Sequence, residues 1–368
     1  MKTILTLIMI LVQISSIFAR INLNNELSVS VSVFTPSSSQ IYHRKFNYKP
    51  ELLLPLYNKD NKSLDSKIIG NLYHKFYRND KKDITRTKIE FYRVWLRLFT
   101  EQSEIRVGRQ KINFGSAMLL RSLRWFDKLD PRDPQQNTPG VDALLFRYYF
   151  LNNSTFWTWI LLADKNTKGN EMVASSKNSF EFGGRLQYPF EYCEAAISFH
   201  TRELELENED QVMEYRLGID SRWDSFMGYW LELSVGYFSN TSIIPDYEKS
   251  LTLGADYSLP WGNSIYLLAE HLIHSVSEEE LFTSSSNINT SALNVEYPLS
   301  FFSSLNAIIF YNWDSREISS FLMYNYSLDY IDLYFSLNLN PDIEIPDYDN
   351  IYYDGASFQI KAVYNFDI

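Results

Sequence analysis

The residues able to do covalent or metal chemistry in this chain are few and badly spaced for it. The five histidines are His43, His74, His200, His271 and His274. The closest two are three residues apart, and on a strand that spacing points them to opposite faces, so they cannot share a metal. Cys193 stands alone, which excludes an intramolecular disulfide and a cysteine-held metal. It alternates with Ala195 and Ile197, a setting that suits a small apolar filler better than a reactive thiol. Ser198 and His200 share a face, yet no phosphate-binding glycine loop, HExxH or GxSxG accompanies them. Neither an enzyme nor a cofactor is expected.

What does recur is arginine at alternate positions. Arg93 and Arg97 share a face opposite Tyr92, Val94, Leu96 and Leu98, and Arg106 faces away from Ile105 and Val107. Parity adds Arg147, Arg185, Arg202, Arg216, Arg222 and the carboxylate of Asp332 to the same polar face. Guanidinium groups on neighbouring strands around a narrow aqueous space concentrate anions. The alternative use is structural: Glu104, Glu181, Glu194, Glu214 and Asp220 could neutralise them as ion pairs bracing a wall.

The elements that must position these residues are strands. In the segment 358–368, Phe358, Ile360, Ala362, Tyr364, Phe366 and Ile368 fall on one face, with Gln359, Lys361, Asn365 and Asp367 on the other. From Thr85 onward, similar segments of about ten residues follow one another, as transmembrane barrel strands do. They are joined by connections that are alternately very short (Glu101 to Ser103, Leu151 to Asn153, Pro260 to Asn263) and longer (111–140, 164–178, 203–211, 239–246, 275–285, 341–353). That rhythm matches periplasmic turns against extracellular loops. The N-terminus has Lys2, an apolar run from Ile4 to Val12 and small residues up to Ala19, the order of a secretory signal cut after Ala19. No later segment reaches the roughly 20 apolar residues of a membrane helix. Only helices and closed barrels satisfy every backbone group in lipid. The expected architecture is therefore all-β: residues 20–368 as one transmembrane antiparallel barrel of 18 strands, or 16, with both termini periplasmic. Strands at 26–34 and 65–76 belong to this count, and 46–56 is its weakest member because Pro50 and Pro55 interrupt it. Aromatics form 16% of the chain and gather near strand ends (Tyr188, Trp223, Trp261, Trp313), where barrel girdles lie.

The net charge of -11 hides an asymmetry. Residues 20–222 hold 30 Lys and Arg against 25 Asp and Glu, whereas 223–368 hold 3 against 20. The text EIRVGRQKINFG, RWFDKLDPRDP and PGVDALLFRYYF, within 104–150, resembles the Gram-negative outer-membrane porin-like barrels that include alginate-export and phosphate-selective channels. The matching residues are Gly108, Arg109, Gln110, Ile112, Phe114 and Gly115, then Asp130, Pro131, Asp133, Pro134, Gly140 and Val141. The resemblance implies a passive channel with an arginine-lined lumen. Loop 111–140 is longer than a link between neighbours needs and carries packable Leu119, Leu120, Leu123, Trp125 and Phe126. It is expected to fold inward as a constriction presenting Arg121, Arg124, Asp127, Asp130, Arg132 and Asp133, with a cap outside the mouth as the alternative. The function expected is diffusion of small hydrophilic, anionic solutes across the outer membrane of a Gram-negative bacterium. Two alternatives stand beside it: a structural or adhesive barrel with a plugged lumen, and an exporter of an acidic polysaccharide. Partners would be outer-membrane lipid, lipopolysaccharide and the barrel-assembly machinery, with no nucleic acid.

Overall fold

A computed structural model describes residues 22–35, 41–79, 82–164, 166–206, 209–239, 241–278, 280–283, 285–341 and 355–367. The expected signal segment lies outside the described residues, as do most of 341–353 and Ile368. Among the described residues there are eighteen strands and no helix. Four tall strands begin the chain: β1 (Asn22–Thr35), β2 (Ile41–Lys59), β3 (Lys62–Asn79) and β4 (Lys82–Phe99). Shorter ones follow, β5 (Ser103–Gln110), β6 (Val141–Tyr149), β7 (Thr155–Leu162) and β8 (Phe180–Pro189), and then β9 (Cys193–Leu206) and β10 (Glu209–Asp224). The second half holds β11 (Gly228–Ser239), β12 (Tyr247–Leu259), β13 (Ile265–Ser277), β14 (Ser286–Ser300), β15 (Ser303–Asn312), β16 (Glu317–Ser327), β17 (Ile331–Leu339) and β18 (Ala356–Asp367).

Each strand pairs antiparallel with the next, and β18 returns to pair with β1 from Asn24 opposite Asp367 to Thr35 opposite Ala356. The sheet is therefore a closed barrel of eighteen strands. Alternation sets its two surfaces. Leu217, Ile219, Phe199 and Ile197 point out and are exposed, while Glu214, Arg216, Asp220, Ser198 and His200 point in and are buried. An outward apolar face and an inward polar face is the arrangement a barrel in lipid requires.

One rim carries connections of two to five residues, and both Asn22 and Asp367 sit at that rim. It exposes large aromatics, with Phe226, Trp261 and Tyr330 each at least two-thirds exposed (76%, 75% and 67%). The other rim carries the long connections. Two parts of the sequence reading need correction there. The stretch 203–211 is mostly strand, since β9 runs to Leu206 and β10 starts at Glu209. The pairing of β3 with β4 shifts by one residue between Ile69 and Gly70, which leaves Tyr92 out of the ladder. Tyr92 is accordingly half-buried rather than exposed beside Val94 and Leu96, because a bulge re-aims the side chain at the extra residue. The prolines of β2 are accommodated differently: Pro50 packs on the bare backbone of Gly70, and the register shifts between Pro55 and Tyr57.

The β1–β18 seam gives a direct test. Val31 and Ile360 are opposite each other and both point outward. With Cys193 changed to Ser, the pair Val31→Cys and Ile360→Cys should be joined by oxidation or a short thiol cross-linker in the folded protein, giving a cyclised band of altered mobility. Failure to cross-link, while Val29→Cys with Phe46→Cys across β1 and β2 does cross-link, would mean an open seam.

Candidate functional site

The interior is built by one segment, residues 111–140, which leaves the end of β5 and crosses the lumen before β6 begins. Two glycines let it do so. Gly108 has φ +112°, and a Cβ there would lie 2.2 Å from the Val94 carbonyl oxygen. Gly115 has φ +95°, and a Cβ there would collide with the Glu232 carboxylate at 2.2 Å. Only glycine tolerates both demands. Gln110 ties the exit down by donating to the Ala143 carbonyl at 2.9 Å, and Arg109 forms a two-point pair with Asp142 at 3.0 and 2.5 Å.

The loop is then held on one wall by two carboxylates. Glu270 of β13 accepts the backbone N–H groups of Met118, Leu119 and Leu120 at 2.7, 2.9 and 2.6 Å, and the Trp230 indole at 3.1 Å. Glu232 of β11 accepts those of Ala117 and Leu123 at 2.8 and 3.1 Å. Successive N–H groups curled around a carboxylate form a small anion nest. Between them Thr252 of β12 donates to the Leu120 carbonyl at 2.5 Å and meets Ser122 at 2.8 Å. An aromatic cluster continues inward: Phe114 stacks on Trp159 (5.8 Å between centroids) and meets Trp125 edge-on, while Phe126 meets His200 edge-on at 5.0 Å.

The far end of the loop reaches a different wall. Asp133 pairs with Lys361 of β18 at 3.2 Å, Gln135 donates to Glu26 of β1, and Asn137 accepts from Lys49 of β2 at 2.8 Å. Burial alone would push the Asp133 carboxyl up, but Lys361 and the backbone N–H groups of Asn137 and Gln135 outweigh it and hold it below the usual carboxylate range. A depressed carboxyl stabilises the fold above its unfolded value, about pH 4, and loses that contribution as pH falls through the folded value. The tether is therefore intact throughout neutral pH.

Most of the arginines singled out by parity lie inside and face carboxylates. Arg97 forms a two-point pair with Asp65 at 3.0 and 2.5 Å, and Arg185 one with Asp220 at 2.5 and 2.8 Å. Arg106 and Arg147 share Glu104 at 2.6 and 3.8 Å, and Arg147 stacks on Trp157 at 3.9 Å. Arg202 and Arg216 both bind Glu214, and they reach Glu171 at 3.1 and 3.6 Å. Arg222 lies 3.3 Å from Asp256, whereas Arg93 caps the carbonyls of Tyr92 and Thr138 at 2.5 and 3.1 Å. Asp332 accepts from Asn365 at 3.5 Å, near the short-turn rim. Glu181 serves Lys168 and His200 rather than an arginine, and Glu194 accepts from Gln187. Ser198 accepts from Arg185 at 3.0 Å and the His200 ring is fixed by Trp159 and Glu181, so that pair is structural. Within the loop, Arg121 holds Asp127 at 3.2 Å and Arg124 holds Asn170 at 2.6 Å.

A polar cavity of about 310 Å³ remains between the loop and the wall made by β16 to β18 and β1 to β3. Asp130, Arg132 and Asp133 of the loop face it together with Lys128. Opposite them stands a row that sequence reasoning missed. Lys361 is level with Ser30 of β1, Ser30 with Lys45 of β2, Lys45 with Lys75 of β3, and Lys75 with Arg86 of β4. The lysines of this row line the cavity. The signal was present in the wet-face parity of Lys361, but Lys45 lay just before the strand that Pro50 and Pro55 made hardest to read.

Solved structures share this fold. Pseudomonas aeruginosa OccK2 (OpdF) matches with a TM-score of 0.63 at 7% identity, covering 95% of this chain and 98% of that one. Pseudomonas aeruginosa OccK5 (OpdH) gives 0.59 at 13% identity over 95% and 98%. An anion-selective porin from Comamonas acidovorans gives 0.52 at 11% identity over 94% and 99%. At such identities the likeness is one of fold. No family model and no curated protein matches the sequence.

The nest predicts its own loss. Replacing Glu270 with Ala strips three loop N–H groups of their acceptor, at roughly 1–3 kcal/mol for each buried unsatisfied donor. The double change Glu232→Ala and Glu270→Ala should keep a heat-modifiable barrel but free the loop, so that trypsin cuts after Arg121 or Arg124. A folded double variant as trypsin-resistant as the parent would show that the loop is held by packing alone.

Proposed function

We propose that this chain is an outer-membrane channel through which small hydrophilic solutes, anions preferentially, diffuse down their gradients without catalysis. The observation that carries this reading is the lysine row. Like charges directly opposite each other on neighbouring strands are destabilising, yet Lys45 faces Lys75 across β2 and β3 and Lys361 stands two strands away at the same level. Such a row has a use in a lumen: fixed cations at a narrow, low-dielectric passage raise the local anion concentration. The fold shared with an anion-selective porin supports the same reading. The narrower resemblance to alginate-export and phosphate-selective channels rests on the text within 104–150 alone.

In this reading the short-turn rim and both termini are periplasmic, the segment 1–19 is removed on export, and lipopolysaccharide and the barrel-assembly machinery are the partners of insertion. The arginines divide the labour with the lysines. Those locked to Glu214, Asp220 and Glu104 brace the wall and Lys361 ties the loop through Asp133, while Lys45 and Lys75 supply the field that a solute meets. The loop, tied to both walls, sets the narrowest point. Its dense packing also favours a second reading, a plugged barrel with a structural role, and the two differ in conductance.

Reconstitution in planar bilayers across a salt gradient tests this. The parent should conduct with a reversal potential on the anion side. Lys45→Gln and Lys75→Gln together, which leave the Lys361–Asp133 tether in place, should lower the anion-to-cation permeability ratio by about ten-fold, because the fixed positive field is lost. Arg202→Gln should instead lower stability by roughly 1–3 kcal/mol, because the buried Glu214 and Glu171 lose one of the guanidiniums they share while Arg216 remains. Deleting Ser116 to Thr138 with a Gly/Ser bridge should raise single-channel conductance several-fold. A non-conducting, folded parent would favour the plugged barrel; an unmoved reversal potential in the double variant would remove the lysine row from selectivity.

A further inference from the structure

A second cavity lies at the long-loop rim, against β9 to β13 and beside Met172, Val173, Ile244 and Pro245 of two long connections. It measures about 190 Å³ and is walled mainly by Val173, Phe238, Ile244, Pro245, Tyr247 and Val276. The polar groups that reach it are Arg202, Glu214, Arg216 and Glu248.

These charges do not balance. Arg202 and Arg216 both engage Glu214 and Glu171, and Lys168 reaches Glu171 at 3.5 Å and Glu181 at 2.7 Å, so three cations are matched to three carboxylates. Glu248 is a further carboxylate, on the same cavity. Its ionic contact is with the His274 ring, 3.9 Å away, whose Nδ1 also meets Ser250 at 2.9 Å. Among the described residues Glu248 is the carboxylate of this group with no arginine or lysine in ion-pair contact, and it stands at the edge of an apolar chamber. Phe238 completes an aromatic wall of a kind that attracts organic cations.

We propose that this cavity binds a small monocationic amine with an apolar body, its ammonium on Glu248 and its hydrocarbon part among Val173, Phe238 and Ile244. An apolar pocket with one charge-bearing group that fixes orientation is the usual form of a small-molecule site. The entrance is on the long-loop side, where Met172 lies at the surface, 71% exposed. The site stands apart from the lysine-lined cavity and does not depend on the channel reading.

Phenethylammonium is the probe, tested by equilibrium dialysis against the folded barrel in detergent, with phenylacetate as the anion of similar shape. Val173→Trp, which fills the chamber, is compared in the same detergent so that partition into micelles cancels. Saturable binding of one phenethylammonium per barrel is expected, weaker by at least ten-fold in Glu248→Gln, absent in Val173→Trp, and not shown by phenylacetate. The proposal falls if phenethylammonium does not saturate, if heat-modifiable Glu248→Gln binds it as the parent does, or if Val173→Trp leaves binding unchanged. Should Glu248→Gln fail to fold, Val173→Trp and the phenylacetate comparison still decide. Conductance and selectivity need no amine, so each reading fails on its own measurement.

Discussion

Ring closure is the condition on which everything else rests. A strand edge left in hydrocarbon would expose a row of N–H and C=O groups at several kcal/mol each, so β18 must find β1. The ladder from Asn24 opposite Asp367 to Thr35 opposite Ala356 meets that need. Closure also fixes parity: once the register is set, every second residue is committed to the lumen. Glu232, Glu270 and the lysine row occupy their positions by this count.

Closing the ring in turn creates the problem that the interior has to solve. An inward face rich in ionisable groups cannot leave them all to water once a loop fills the space, so charges are matched in small groups: Arg185 with Asp220, Arg97 with Asp65, and Arg202 and Arg216 with Glu214 and Glu171. Partnering of this kind makes an inward arginine a wall element. The level at which Lys45 and Lys75 face one another is different in kind, and it borders the polar cavity between the loop and the wall.

Alternation made the strands legible from Ser103 to the C-terminus, because a period of two survives any loop length. The order of short and long connections made the barrel legible as well. Two things were hidden. At Tyr92 an extra residue in β4 broke the count, and no propensity announces a bulge of that sort. The roles of charged side chains were hidden because they depend on which strands become neighbours of a loop that is distant in sequence. Arg202 and Lys45 are equally inward by parity, yet Glu214 and Glu171 reach the first. Similarly, nothing near Glu232 or Glu270 indicates that their acceptors will be filled by the backbone of residues 117–123.

The infolded loop has a consequence for the order of events when the protein is made. Its N-terminal half is gripped by β11 and β13, and its C-terminal half by β18, β1 and β2. These contacts have large sequence separation, and contacts of that kind form late because chain entropy must be surrendered first. The segment cannot settle while only β5 and β6 exist, nor can it easily thread into a ring already shut. Curling of the sheet and seating of the loop should therefore occur as one cooperative event, with residues 133–137 acting as a clasp that spans the last joint to close.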